Sequence, residues 1–304
     1  MQHFQYPVNV ASVPQLSVFR YPGGKTWFVP YLRLWLGAKE EQPEILCEPF
    51  GGGGIVGLTS AAEKLSNKVH INELDPIVAA VWKTTLCEDH EWLCNRITEF
   101  DLTVDNVMEV LSSDTDSTRD RAFKTILRNR CGHGGILAEG GGLLKHGENG
   151  RGIASRWYPG TLVKRIKTIY QLRERIIFSE QDGLDLMEQY SDNPNACYFI
   201  DPPYTAGKRG KRAGKRLYRY SELDHDRLFD IASGAKGDFL ITYDNDEEVV
   251  ELASSRDMQM ALIPMKNTHN TTMNELVICK DISWANINLD DFSIAQMELT
   301  LKCA

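Results

Sequence analysis

The sequence lacks the cysteine pattern that would build a disulfide framework or a structural zinc site. Its 304 residues contain 7 cysteines, an odd number, and no Cys-x-x-Cys pair. No apolar run approaches the roughly 20 residues that a membrane-spanning helix needs. The first 18 residues also lack the basic region and apolar stretch of a secretory signal. We therefore expect a cytoplasmic protein with no structural metal and no membrane partner.

Positive charge is scarce as well. The chain has 34 Lys and Arg against 42 Asp and Glu, a net charge of -8, which argues against a protein whose whole surface coats nucleic acid. A hydrophobic content of 42% and a charged content of 25% exclude disorder and coiled coil. The length suits one large α/β domain or a core that carries an insertion.

Short apolar segments that end in polar or glycine-rich sequence predict a mostly parallel sheet. They occupy residues 44–47, 68–72, 176–178, 197–200 and 239–242, and helical patterns alternate with them. We expect an α/β, Rossmann-like core with functional residues at the carboxyl ends of the strands. We assign residues 15–85 and 176–290 to this core. Residues 86–175 are expected to form a largely helical insertion that contains many glycines, and residues 291–304 a C-terminal tail.

Residues 48–57 follow the first of these strands and contain the pattern Gly-x-Gly-x-x-Gly at Gly52, Gly54 and Gly57. Glu73 ends the next strand roughly 20 residues later, where an acid binds ribose hydroxyls. Alone, this pattern fits a nicotinamide cofactor, a flavin or S-adenosylmethionine about equally. The segment Gly-Gly-Lys-Thr at 23–26 is not a P-loop, because the position of its first glycine is Phe19.

The most specific motif is Asp201-Pro202-Pro203-Tyr204, directly after an apolar strand. The two prolines hold the backbone extended. An Asp201 oxygen and a neighbouring main-chain carbonyl are then placed to accept hydrogen bonds from an exocyclic NH₂ group, while the Tyr204 ring stacks on the base.

Four further segments accompany this motif along the chain: 19–25 (Phe-Arg-Tyr-Pro-Gly-Gly-Lys), 48–54, 72–76 (Asn-Glu-Leu-Asp-Pro) and 274–278 (Asn-Glu-Leu-Val-Ile). In these motifs and in their order, the chain resembles the Dam-like adenine-N6 DNA methyltransferases, and the resemblance covers roughly residues 19–280. The resemblance implies an S-adenosylmethionine-dependent methyltransferase core and methyl transfer to N6 of a flipped-out adenine in double-stranded DNA. The catalytic residues that it implies are Asp201, Pro202, Pro203 and Tyr204. The implied cofactor-binding residues are Tyr21, Gly23, Lys25, Glu48, Phe50, Gly51, Gly52, Gly54, Glu73, Asp75, Asp182 and Asp201.

Two basic regions predict contacts with DNA. A glycine-spaced stretch after Tyr204 is expected to hold phosphates through Lys208, Arg209, Lys211, Arg212, Lys215 and Arg216. In the insertion, where the resemblance weakens, Arg128, Asn129, Arg130 and Arg151 are expected to read bases. The insertion is accordingly expected to be the DNA-recognition subdomain.

Other functions stay open. Cytosine-N4 methylation uses a similar amine pocket, often with Ser in place of Asp, and a DNA-binding regulator retains the pocket without turnover. A nicotinamide oxidoreductase leaves 201–204 and the basic stretch unexplained. We expect a monomer or weak dimer, encoded by a bacterium or a phage, either solitary or part of a restriction-modification system.

Overall fold

A computed structural model describes residues 2–3, 10, 13–20, 24–135, 137, 142–147, 150–203, 223–266 and 272–286. The strands in these ranges are β1 (Gln2–His3), β2 (Ile45–Glu48), β3 (Lys68–Asn72), β4 (Ile176–Ser179), β5 (Ala196–Ile200), β6 (Asp238–Asp244), β7 (Gln259–Lys266) and β8 (Thr272–Cys279). The α-helices are α1 (Val29–Gly37), α2 (Ile55–Glu63), α3 (Pro76–Thr85), α4 (Asp89–Glu99), α5 (Val104–Ser112), α6 (Thr118–Cys131), α7 (Pro159–Gln171), α8 (Gly183–Gln189), α9 (His225–Gly234) and α10 (Glu247–Ser254).

All eight strands form one sheet in the order β4-β3-β2-β5-β6-β8-β7-β1. Strands β2 to β6 pair in parallel, whereas β8 is antiparallel to both β6 and β7. The strand order reverses between β2 and β5, which are neighbours. Open α/β sheets bind ligands in the crevice outside the carboxyl ends of such strands. The prediction of a Rossmann-like α/β core is confirmed.

Apolar residues cover both faces of the sheet. Along β2, Leu46 packs in one buried layer, while Ile45 and Cys47 pack in the other. The first layer includes α1 to α3, and the second includes α8 to α10. Because successive side chains of a strand point to opposite faces, a central strand covered on both sides is apolar throughout. This is why the predicted strands appear in the sequence as short continuous apolar runs.

Between β3 and β4 the chain is largely helical, as predicted. Helix α6 packs against α3, and α4 packs against α7. The Ser117 hydroxyl accepts a hydrogen bond from the Asp120 N–H at the start of α6, and Pro159 occupies the first turn of α7. The limits of the insertion at 86 and 175, and its separate role, stay predictions. The proposed tail at 291–304 lies outside the described residues.

The antiparallel hairpin at the edge of the sheet was only partly anticipated. Residues 274–278 were recognised as a motif, and they lie within β8. Strand β7 was not predicted, although it pairs with β8 along its whole length. None of the helices described here is long and apolar enough to cross a membrane.

Candidate functional site

In the glycine-rich loop after β2, Gly52 and Gly54 both have a positive φ, which favours glycine, and Gly54 is also tightly enclosed. Gly54 has φ +61°, and a Cβ atom there would lie 2.5 Å from the ring of Trp82. The Trp82 indole N–H donates to the Gly52 carbonyl at 3.1 Å, and the Gly54 N–H donates to the Gly51 carbonyl at 2.6 Å. Trp82, on α3, thus holds this loop close to the end of the sheet. Sequence reasoning had given Trp82 no role.

Glu73, at the end of β3, holds the same loop through its carboxylate. Its two oxygens accept hydrogen bonds from the N–H groups of Gly52 (2.9 Å) and Asp75 (2.8 Å). Burial raises the pKa of Glu73 to about 7, although these main-chain donors oppose the shift. A carboxylate oxygen has a second lone pair, so the same group can also accept from a ligand hydroxyl. The Asp75 carboxylate caps α3 by accepting from the Ile77 N–H at 3.1 Å.

Asp182 follows β4 and is exposed. One of its oxygens caps α8 by accepting from the Leu184 N–H at 2.7 Å. Phe50, in the glycine loop, is half-buried and lies against the start of α8, since a Cβ atom on Gly183 would be 3.0 Å from its ring. Phe50 and Asp182 thus come from the ends of β2 and β4 to the same edge of the sheet.

Asn72 joins these strand ends, a role that sequence reasoning missed. Its side-chain NH₂ donates to the carbonyls of Pro49 (2.9 Å) and Gln181 (3.0 Å), and its oxygen accepts from the Ser179 hydroxyl at 2.8 Å. Asn72 is fully buried. The available signal was an amide side chain at the end of a strand, directly before Glu73, because a buried amide needs several partners.

Glu48, predicted to contact a cofactor, is buried beneath the loop. Its carboxylate accepts a hydrogen bond from the Gly57 N–H at 2.8 Å. Burial raises the pKa of Glu48 to about 8, the Gly57 N–H opposes this shift, and the negative charge of Asp201 adds to it. Through the contact with Gly57, Glu48 secures the start of α2.

Lys25 forms a buried ionic cluster with two carboxylates. Its Nζ lies 2.9 Å from Asp201 Oδ1 and 2.9 Å from Glu275 Oε1. The exposed fractions of the three side chains are 5% for Lys25, 23% for Asp201 and 7% for Glu275. Burial lowers the pKa of Lys25, but attraction to the two carboxylates outweighs it and raises the pKa above its ordinary value. Glu275 was part of a recognised motif without an assigned role.

Two residues of β6 support the segment that begins with Asp201. The Thr242 hydroxyl donates to Asp201 Oδ1 at 2.9 Å, and the buried Tyr243 hydroxyl donates to the Pro203 carbonyl at 3.2 Å. Pro202 is buried and Pro203 is half-buried. Sequence reasoning missed both supports, since it gave no register between β5 and β6.

The insertion residues expected to read bases fall into two groups. Arg128 is half-buried, and Arg151 is exposed with its guanidinium 5.7 Å from the Tyr158 ring centroid. Asn129 and Arg130 are buried, and both donate hydrogen bonds to main-chain carbonyls of the 18–20 segment. Direct contact with a base does not fit that placement, so the structure does not support the prediction that Asn129 and Arg130 read bases. Their spacing was the missed signal, because they lie three and four residues after the buried Ile126 on the apolar face of α6.

Several predicted site residues lie outside the described residues. They are Tyr21, Gly23, Tyr204, Lys208, Arg209, Lys211, Arg212, Lys215 and Arg216. Among the side chains that are described, no group of three or more His, Cys, Asp or Glu is arranged to hold a metal ion.

A scan against protein-family models finds no match, and a search of curated proteins finds no similar sequence. Among solved structures, the chain is similar to the Pyrococcus horikoshii protein PH1948, described as a proposed RNA methyltransferase. The identity is 8%, the TM-score is 0.37, and the match covers 86% of this chain and 84% of that one. A likeness this distant does not bear on activity. The strand order and the residues at the carboxyl edge of the sheet establish a Rossmann-like α/β protein with a candidate site between β2 and β5.

Proposed function

We propose that this chain is an S-adenosylmethionine-dependent methyltransferase that modifies N6 of adenine in double-stranded DNA. The observation that carries the proposal is the position of Asp201-Pro202-Pro203 at the carboxyl end of β5, beside β2 and its glycine loop. This is the point of strand reversal where a bound nucleoside and a second substrate can meet.

The residues present fit the cofactor. Glu73 has acceptor capacity toward ribose hydroxyls while it holds the loop. Asp182 is exposed, and its capping bond uses one oxygen, so the carboxylate suits an adenine amino group. Phe50 supplies an apolar ring against the start of α8. When bound, S-adenosylmethionine supplies an electrophilic methyl group on its sulfonium sulfur.

The role of Asp201 follows from its acceptor chemistry. An amino group inside a duplex is inaccessible, so the base must leave the stack at a cost of a few kcal/mol. Asp201 and the Pro202 carbonyl then accept the two NH₂ hydrogens, which orients the nitrogen lone pair toward the methyl group. Lys25 and Thr242 both contact Asp201 Oδ1 and hold the carboxylate in one orientation. Tyr204, outside the described residues, is assigned the stacking face for the base.

Methyl transfer from tritiated S-adenosylmethionine to unmethylated duplex DNA, followed by nucleoside separation, tests the proposal. Label should appear in N6-methyladenine. Asp201→Asn should reduce transfer by about 100-fold or more, and circular dichroism checks that the variant is folded. Asp185→Asn is the control, because Asp185 is an exposed carboxylate on α8 that pairs with Arg227.

Each alternative has a distinct outcome. Label in N4-methylcytosine would show that the target base is cytosine and not adenine. Binding of S-adenosylhomocysteine and DNA without transfer would indicate the silent regulator. Binding of NADH with none of S-adenosylhomocysteine would overturn the assignment of the cofactor.

A further inference from the structure

The last turn of α6 holds the main chain that precedes Lys25. Asn129 Oδ1 accepts from the Arg20 N–H at 2.8 Å, and its NH₂ donates to the carbonyls of Arg20 (2.9 Å) and Gly135 (2.8 Å). The Asn129 side chain is 0% exposed. The Asn129 side chain therefore both accepts from and donates to the backbone of Arg20, as an adjacent strand would. Its bond to the Gly135 carbonyl also connects Arg20 to the loop that follows α6.

Two arginines of the insertion extend this contact. The Arg130 guanidinium donates to the Val18 carbonyl, and Arg165 Nη1 donates to the Ser17 carbonyl at 2.8 Å. Burial, together with repulsion from neighbouring arginines, lowers the pKa of Arg130 to about 10. A buried guanidinium that keeps a main-chain partner is strongly oriented, since leaving such a donor unsatisfied is costly. We call residues 17–20, held in this way from the insertion, the anchored segment.

The anchored segment leads directly to the ionic cluster. Val18 and Phe19 are buried in the core, which fixes the segment from its other side. Four residues separate Arg20 from Lys25, whose ammonium group contacts Asp201. A displacement of the anchored segment would therefore move the backbone that places Lys25.

We propose that Asn129 and Arg130 are positioning residues for the cofactor site. They hold the anchored segment, and through it Lys25, in the arrangement that cofactor binding needs. The inference rests on the proposed function, because it assigns these residues to the cofactor side of that site instead of to base reading.

Arg130→Met and Asn129→Leu remove the contacts, whereas Arg130→Lys keeps a cationic donor. The first two should raise the Kd of S-adenosylhomocysteine about tenfold, as expected for one lost hydrogen bond to a charged or buried partner. They should also raise the KM for S-adenosylmethionine more than the KM for DNA. Arg130→Lys should restore most of the affinity. If Asn129 and Arg130 only stabilised the fold, their substitution would lower stability without a selective change in cofactor affinity.

Lys124→Met is the matched control, because Lys124 is half-buried on the same helix and its ammonium group donates to the Ser113 carbonyl, outside the anchored segment. It should leave the Kd of S-adenosylhomocysteine unchanged. Sequencing of methylated DNA should show the same target motif in the Asn129 and Arg130 variants as in the unmodified protein. Thermal unfolding of every variant separates a loss of fold from a loss of binding.

An unchanged Kd in folded Arg130→Met and Asn129→Leu would overturn the inference, as would an altered motif with unchanged cofactor affinity. If Asn129→Leu does not fold, the comparison of Arg130→Met with Arg130→Lys carries the test, because Arg130→Met removes the contact with the Val18 carbonyl and leaves Asn129 in place. Failure of the folded, unmodified protein to bind S-adenosylhomocysteine would instead overturn the proposed function, so the two failures are distinguishable.

Discussion

Replacing Lys25 by methionine should destabilise the fold strongly, because it removes one cation from between two carboxylates. Each Nζ–O separation of 2.9 Å corresponds to about 6 kcal/mol of attraction at an effective dielectric constant of about 20. The cost of removing three charges from water offsets much of this attraction. The substitution leaves Asp201 and Glu275 without the cation that compensates them. We expect a loss of about 3–5 kcal/mol in the free energy of unfolding.

Urea unfolding followed by circular dichroism measures this loss, and a second substitution isolates its cause. The double variant Lys25→Met with Glu275→Leu should recover part of the lost stability, because it removes the more buried of the two carboxylates that the single variant leaves without a cation. Lys83→Met is the control, because Lys83 forms an ion pair with Glu180 that is 49% and 30% exposed. It should cost only about 0–1 kcal/mol. Equal losses for Lys25→Met and Lys83→Met, or no recovery in the double variant, would refute the reasoning.

Three further predictions concern the glycine loop and the basic stretch. The pKa of Glu48 rises from 4.5 to about 8 on folding, so the contribution of Glu48 to stability falls as the pH rises between these values. Glu48→Gln should therefore flatten the pH dependence of the midpoint of urea unfolding. The same pH dependence in the variant and the unmodified protein would contradict this prediction. Gly54→Ala places a Cβ 2.5 Å from Trp82 at φ +61° and should lower the free energy of unfolding by at least about 1–3 kcal/mol. Thermal unfolding measures the loss, and Gly160→Ala is the control because the new Cβ there has open space around it. Neutralising the four basic residues of 211–216 should weaken binding to all DNA sequences alike and reduce the salt dependence of the Kd, without changing the methylated motif.

The sequence by itself determined the strand and loop pattern that defines the candidate site. Strand β3 was predicted with the bounds that the structure shows, and β5 was predicted within one residue. Strand β5 is a short apolar run that ends abruptly, as buried parallel strands do. The position of Glu73 and Asp201 at strand ends followed from this local pattern. Strand order in a doubly wound sheet then makes the convergence of these ends an expectation.

Only the tertiary structure decided which polar side chains meet. The contacts of Lys25 with Asp201 and Glu275 join three distant parts of the chain, and no local periodicity encodes them. The burial of Asn129 and Arg130 was similarly hidden, because residue type alone suggested DNA contacts. Their position on the apolar face of α6 matters only once the 17–20 segment packs there and supplies main-chain partners. Polar residues can be buried where such partners exist, and the partners come from packing between elements that are far apart in the sequence.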